Sequence, residues 1–334
     1  TYSCRNCEKN DVAVPVIKAP MPKPVIKGSF ASPEAVAHII TQKFVTATPL
    51  YRQEQEWNRQ GIMLSRQTMS NWLIRCAEDW LEPIYNELHK KLLNHEVLHC
   101  DETTLQVLHE PDKTAQSKSY MWLYRTSGDA DKPIVLYDYQ PSRSANHPEN
   151  FLNGWRGYLH ADGYSGYHSL EKRGNITVIG CLAHARRKFD EALKTMPEKD
   201  RETSSAFVGK TYCNRLFDIE RDIKTLSAQE KYTQRQKLAK PVLDEFFAWL
   251  NSENFSKGSL GKAVSYTLGQ WKYLERYLLD GRLEISNNRA ERSIKPFVIG
   301  RKNFLFANTP RGAKASAIIY SIIETAKESG IDPY

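Results

Sequence analysis

Three acids in this sequence stand where a carboxylate is costly unless it has a task. Asp101 lies within residues 97–108, an alternating stretch rich in Thr, Val and Leu, with His99, Cys100 and Thr103 beside it. A charge inside such a strand must be hydrogen-bonded, paired or bound to a cation. Asp162 closes a second strand pattern, 157–162, next to Gly163, which lets the backbone turn. Glu291 falls in a helix that Ser286 is placed to cap. Two carboxylates brought together repel, and one keeps a proton unless a cation neutralises both. Mg2+ or Mn2+ does so through oxygen ligands and leaves positions for water and phosphate. With Glu291 as the third acid, Asp101 and Asp162 would hold two such ions, and the chemistry is metal-assisted phosphoryl transfer.

Each acid also has a plain structural explanation. Asp-Gly is an ordinary turn pair, and Glu291, between Arg289 and Arg292, suits a solvated helix face. Glu102 competes with Asp101, but neighbouring strand residues face opposite ways, so only one of them can serve. Tyr120, Trp122 and Tyr124 alternate on one face and read as core. What favours chemistry is the order of the elements that carry the acids.

Residues 1–31 form a tail and linker, with Pro15, Pro20, Pro22 and Pro24 between basic residues. Cys4 and Cys7 have the spacing of one zinc knuckle, and a closed site needs four ligands. The chain opens on Thr1 and reads as a fragment, so either the other two ligands lie upstream, the favoured reading, or the pair is idle; Zn2+ is expected only in the longer protein. Residues 32–95 are helical. Ser32-Pro33-Glu34 is a helix start, a second helix follows over 49–60 to Gly61, and Ser65 caps a third. Met69, Trp72, Leu73 and Cys76 share its inner face, while Arg66, Gln67, Ser70 and Asn71 face outward. This pair suits a helix-turn-helix with those four residues on DNA, or an ordinary bundle with a polar face.

The texture changes at residue 96. Three strand patterns (97–108, 119–126, 133–139) with short turns imply an antiparallel meander. A helix (146–155), a strand (157–162), a short strand (177–180) and a basic amphipathic helix (182–195) follow. That order predicts an α/β fold, a ribonuclease-H-like mixed five-stranded sheet flanked by helices, in which the first and fourth strands adjoin and their acids meet. Residues 96–195 are its first part and 286–334 its second. Between them, 196–285 holds no strand pattern and reads as an all-helical insertion ahead of the third acid.

A net charge of +8 fits a polyanionic partner. No apolar run is long enough to span a membrane, and no signal peptide opens the chain. Six scattered cysteines do not make a disulfide framework. The expected setting is the bacterial cytoplasm, on the nucleoid when DNA is bound.

Several motifs together resemble the insertion-sequence-66 family of bacterial transposases. They are His99-Cys100-Asp101-Glu102-Thr103, His160-Ala161-Asp162-Gly163-Tyr164, the run from Cys181 through His184 to Phe189, Ser286-Asn287-Asn288-Arg289-Ala290-Glu291-Arg292, and the tail from Gly300 to Ala307 with Ile323 to Lys327. The resemblance implies that Asp101, Asp162 and Glu291 are an Asp-Asp-Glu triad. It further implies cleavage at the element's terminal inverted repeats, strand transfer of the 3′ hydroxyl into target DNA, a homo-oligomer on DNA, and accessory proteins of the same element. Cys181 and His184 are a Cys-x-x-His pair, read as support beside the site, with zinc ligation as the alternative. Arg186, Arg187, Lys188, Arg289, Arg292, Lys295, Arg301 and Lys302 are expected along DNA phosphates. Two rivals remain: a ribonuclease-H-like nuclease or resolvase that cuts without joining, and a non-catalytic helix-turn-helix regulator.

Overall fold

The structure is a computed structural model; it describes Lys9, residues 24–252, Phe255 and residues 258–334. Cys4 and Cys7 lie outside the described residues.

The first helices are α1 (Pro33–Phe44), α2 (Leu50–Arg59) and α3 (Arg66–Cys76). The Ser32 and Ser65 hydroxyls each accept the amide three residues on, as N-caps do. A π-type turn, Ala77–Leu81, leads into α4 (Glu82–Leu92). Its cause is Pro83, which has no N–H for the Asp79 carbonyl and crowds it. The same defect recurs at Arg235–Ala239, ahead of Pro241.

Five strands follow: β1 (Val97–Gln106), β2 (Lys118–Thr126), β3 (Val135–Gln140), β4 (Gly157–His160) and β5 (Ile176–Ile179). They form one mixed sheet in the order β3-β2-β1-β4-β5, antiparallel through β3, β2 and β1 and parallel through β1, β4 and β5. Between them run α5 (Asn146–Phe151) and α6 (Ser165–His168), and α7 (Leu182–Lys194) leaves the sheet after β5. The mixed sheet flanked by helices agrees with the alternation read in the sequence. Asp162 does not close β4, however: pairing ends where His160 meets His99, and Asp162 sits two residues beyond, in the loop.

Alternation buries both faces of the sheet. Leu98, Cys100, Trp122, Tyr124, Leu136 and Leu159 pack on one side. Leu105, Met121, Leu123, Val135 and Tyr137 pack on the other, against Ile39, Trp72 and Ile318 of the outer helices. Among the described residues, 205–279 hold no strand and four helices, α8 (Ser205–Asp222), α9 (Ala228–Gln234), α10 (Lys240–Ser252) and α11 (Ser259–Leu274), with a 3-10 turn at Glu275–Leu279. These helices share a core with Val97, Ile179, Leu182 and Phe189. Then come α12 (Asn288–Phe304) and α13 (Pro310–Glu328). Ser286 does not cap α12; the N-cap is Asn287, and its side chain makes no cap bond.

Arg235 locks the return from the helical segment to the sheet. Its buried guanidinium forks onto Glu220 at 2.8 and 2.7 Å and donates to the carbonyls of Tyr277, Asp280 and Leu283. Arg235→Ala would strand three carbonyls and a carboxylate, and is expected to cost about 3–5 kcal/mol in urea unfolding. A loss below about 1 kcal/mol would show that water replaces the guanidinium.

Candidate active site

Asp101, Asp162 and Glu291 line one cavity of about 300 Å3, together with Glu102, Thr103, His184, Arg187, Asn287, Ile294 and Lys295. The sheet explains the opening. Because β4 stops at His160, β1 has no parallel neighbour from Cys100 until Gln106 and Val107 meet Ala307, and the side chains of that stretch border a gap. Asp101 comes from β1, Asp162 from the loop after β4, and Glu291 from the first turn of α12.

The four carboxylates differ in how their charge is met. The Glu291 carboxylate accepts from His184 Nε2 at 2.9 Å and lies 3.4 Å from Arg187, and these contacts, His184 first, hold its pKa below the usual range. Glu102 is bound by Arg143 and by the Tyr167 hydroxyl, yet burial and then Asp162 raise its pKa. Asp101 accepts only the Glu102 amide, at 2.8 Å, and Asp162 only that of Tyr164, at 2.9 Å, among the described residues. Burial, then repulsion from Glu102 and Asp162, pushes the Asp101 pKa well above the ordinary carboxylate range. Glu102 thus enters the same cavity as Asp101 despite its opposite pleat, a correction to the strand argument: at an unpaired edge both faces reach the gap. Oxygen donors with unmet negative charge suit a hard divalent cation. Cys181, His184 and Glu291 also offer donors within 4.8 Å of one another. There the Cys181 thiol is buried, with its pKa pushed up to about 11, and accepts the Asn287 amide at 3.1 Å.

A sequence model described as "Transposase IS66 family" matches residues 28–315. The chain belongs to the IS66 family of transposases. Similar proteins of Sinorhizobium fredii (strain NBRC 101917 / NGR234) include "Uncharacterized protein y4jD", 34% identical over 100% of this chain and 65% of its own length. Another is "Uncharacterized protein y4hP", 31% identical over 99% of this chain and 62% of its own. The chain therefore spans less than two thirds of these curated relatives.

In this IS66-family chain the basic residues named from sequence have varied settings. Arg292, Lys295 and Lys302 are exposed. Arg186 lies over the Phe217 ring, Lys188 is 3.8 Å from Glu191, and Arg289 donates to Glu284 at 2.6 Å. Arg301 turns inward, donating to Thr103 and Thr104 of β1. On α3, Arg66, Gln67 and Asn71 are exposed and Ser70 half-buried, while Met69, Trp72, Leu73 and Cys76 are buried.

Sequence reasoning passed over the residues behind the acids. His99 and His160 are fully buried and stacked, with ring centroids 4.2 Å apart, and burial holds both neutral; the His99 pKa falls to about 3. Each precedes an acid by two positions, a repeat visible in the motifs. Arg143, Tyr167 and Asn287 carried no such signal.

Since folding raises the Asp101 pKa, its favourable, protonated form persists at acid pH, and stability is lost as pH rises from the unfolded value through the folded one. Asp101→Asn should therefore raise the Tm of cation-free protein at neutral pH by about 2–4 °C. Scanning calorimetry should find the gap between parent and mutant closing toward acid pH. An unchanged Tm would mean that Asp101 is already compensated.

Proposed function

We propose that this chain is the catalytic core of a DNA transposase with a ribonuclease-H-like fold. It cuts DNA at the ends of its insertion sequence and joins the freed 3′ hydroxyl to target DNA. The observation that carries this reading is the convergence of Asp101, Asp162 and Glu291 on one opening at the end of a mixed sheet. Family membership supports it.

Asp101, Asp162 and Glu291 would hold two Mg2+ or Mn2+ ions, which, when bound, lower the pKa of an attacking water and offset charge on the leaving oxygen. The chain's own residues prepare the place. His184 and Arg187 keep Glu291 ionised and oriented. Arg143 and Tyr167 draw Glu102 aside, leaving Asp101 and Asp162 as the unmet pair. Lys295, in the cavity wall, and the exposed Arg292 and Lys302 are cations for phosphates flanking the cut. The outer face of α3 is the proposed reader of the element end. Its link to α2, residues 60–65, is longer than the usual helix-turn-helix turn and bends at Gly61, where φ is 79°. Both ends must be held together for joining, so a homo-oligomer on DNA in the bacterial cytoplasm is part of the proposal, as is help from other proteins of the element.

Asp101→Asn, Asp162→Asn and Glu291→Gln should each abolish cleavage and joining of pre-nicked element ends while DNA binding in EDTA persists. Activity within about tenfold of the parent would remove that residue from the triad. Cleavage without joined product would favour a plain nuclease.

Gln67→Ala and Asn71→Ala should lower the preference for the element end over random duplex, at about 1–3 kcal/mol for a lost base contact. Arg66→Ala should weaken both if it meets phosphate. With about eight phosphate contacts, log K against log[salt] should slope near about −7. Competition binding at several salt concentrations checks both; an unchanged preference in every variant would place end recognition elsewhere.

A further inference from the structure

We propose that Asn287 is the positioning residue that fixes the three acids in one geometry; this rests on reading the cavity as a DNA-cleaving site. Asn287 is 2% exposed and makes four contacts, three of them to other elements and one within its own helix. Its side-chain amide nitrogen donates to the Cys100 carbonyl at 2.7 Å, and its amide oxygen meets His99 Nδ1 at 3.0 Å. Its backbone N–H donates to Cys181 Sγ at 3.1 Å, and its carbonyl accepts the Glu291 amide at 3.2 Å. One residue thereby grips β1 immediately before Asp101, the junction of β5 with α7, and the turn that carries Glu291.

The bonding fixes its own polarity. With Nδ2 committed to the Cys100 carbonyl, Oδ1 must accept, so His99 carries its proton on Nδ1. The His99 ring then stacks on His160, whose Nε2 accepts the Glu284 amide at 3.2 Å. His160 stands two residues before Asp162, so the third acid also leads back to Asn287. An asparagine at a helix N-cap ordinarily bonds the amides of the first turn. Asn287 makes no such bond and directs its side chain across to β1. Aspartate could not donate to Cys100 and would add charge beside Asp101. Alanine would leave the Cys100 carbonyl and His99 Nδ1 without partners.

The test uses the full chain. Mn2+ binding without DNA is measured by calorimetry, DNA binding in EDTA by anisotropy, and cleavage across a Mn2+ series, for parent, Asn287→Ala and Asp101→Asn. Asn287→Ala should weaken Mn2+ binding by about 10–100-fold, leave DNA affinity in EDTA within about twofold, and regain cleavage at high Mn2+. A residue that only supports the fold would not give cation-dependent recovery. Parental Mn2+ affinity and cleavage in folded Asn287→Ala overturn the proposal. Should that variant not fold, Asn287→Ser takes its place; failure of both to fold makes Asn287 a folding residue and equally overturns it. If Asp101→Asn cleaves like the parent, the reading of the cavity itself falls. If Asp101→Asn is inactive and Asn287→Ala is normal, only the role of Asn287 falls.

Discussion

Mutual repulsion among carboxylates at the open end of β1 is the constraint around which this molecule is arranged. Four acids border one cavity, and two of them are answered from within the chain. Glu102 has Arg143 and Tyr167, and Glu291 has His184 and Arg187. Asp101 and Asp162 have only backbone amides among the described residues. Such an arrangement is costly in isolation and makes sense when an external cation completes it. The neutral His99–His160 stack beneath the site fits the same logic. Buried, shielded from protonation and flanked by Arg289, these rings add no charge of their own.

Much of the architecture was legible because it rests on alternation. Leu98, Cys100 and Trp122 against Leu105, Met121 and Leu123 gave strands with two apolar faces, and the short turns gave their antiparallel order. The basic helix after Cys181 and the absence of strand patterns over 196–285 were equally plain. The convergence of the acids was legible through element order and through the motifs that resemble the family, not through any one acid taken alone. Where β4 ends was not, because strand ends depend on pairing partners rather than on local pattern; hence Glu102 was set aside and Asp162 placed as the last residue of a strand that stops two residues earlier. The cap of α12 was misread for a related reason. Ser286 has the chemistry of a cap, but the tertiary bonds of Asn287 to β1 decide where the helix starts.

The helical segment between the second and third acids is more than a spacer. Its helix α11 runs so near the loop after Asp162 that a Cβ on Gly163 would stand 3.1 Å from Tyr266 Oη. The Gly180 amide donates to the Tyr273 carbonyl, fastening α11 to the end of β5. Sheet and helices share the core around Phe189, Phe246 and Leu274, so shape is transmitted between them through packed side chains.

The distance along the chain between the acids has a kinetic meaning. Glu291 follows Asp101 by 190 residues, and α13, which packs on β3, comes later still. Contacts so remote in sequence are slow to form, because the closure entropy of a long loop is spent before any contact repays it. During synthesis β1 to β5 emerge well ahead of Asn287, so the early sheet carries Asp101, Asp162 and the paired histidines without Asn287 or Glu291. The ribosome must deliver the chain as far as α12 before the cavity can close. A nascent polypeptide that stops short of α12 therefore holds two of the three acids and no assembled cavity.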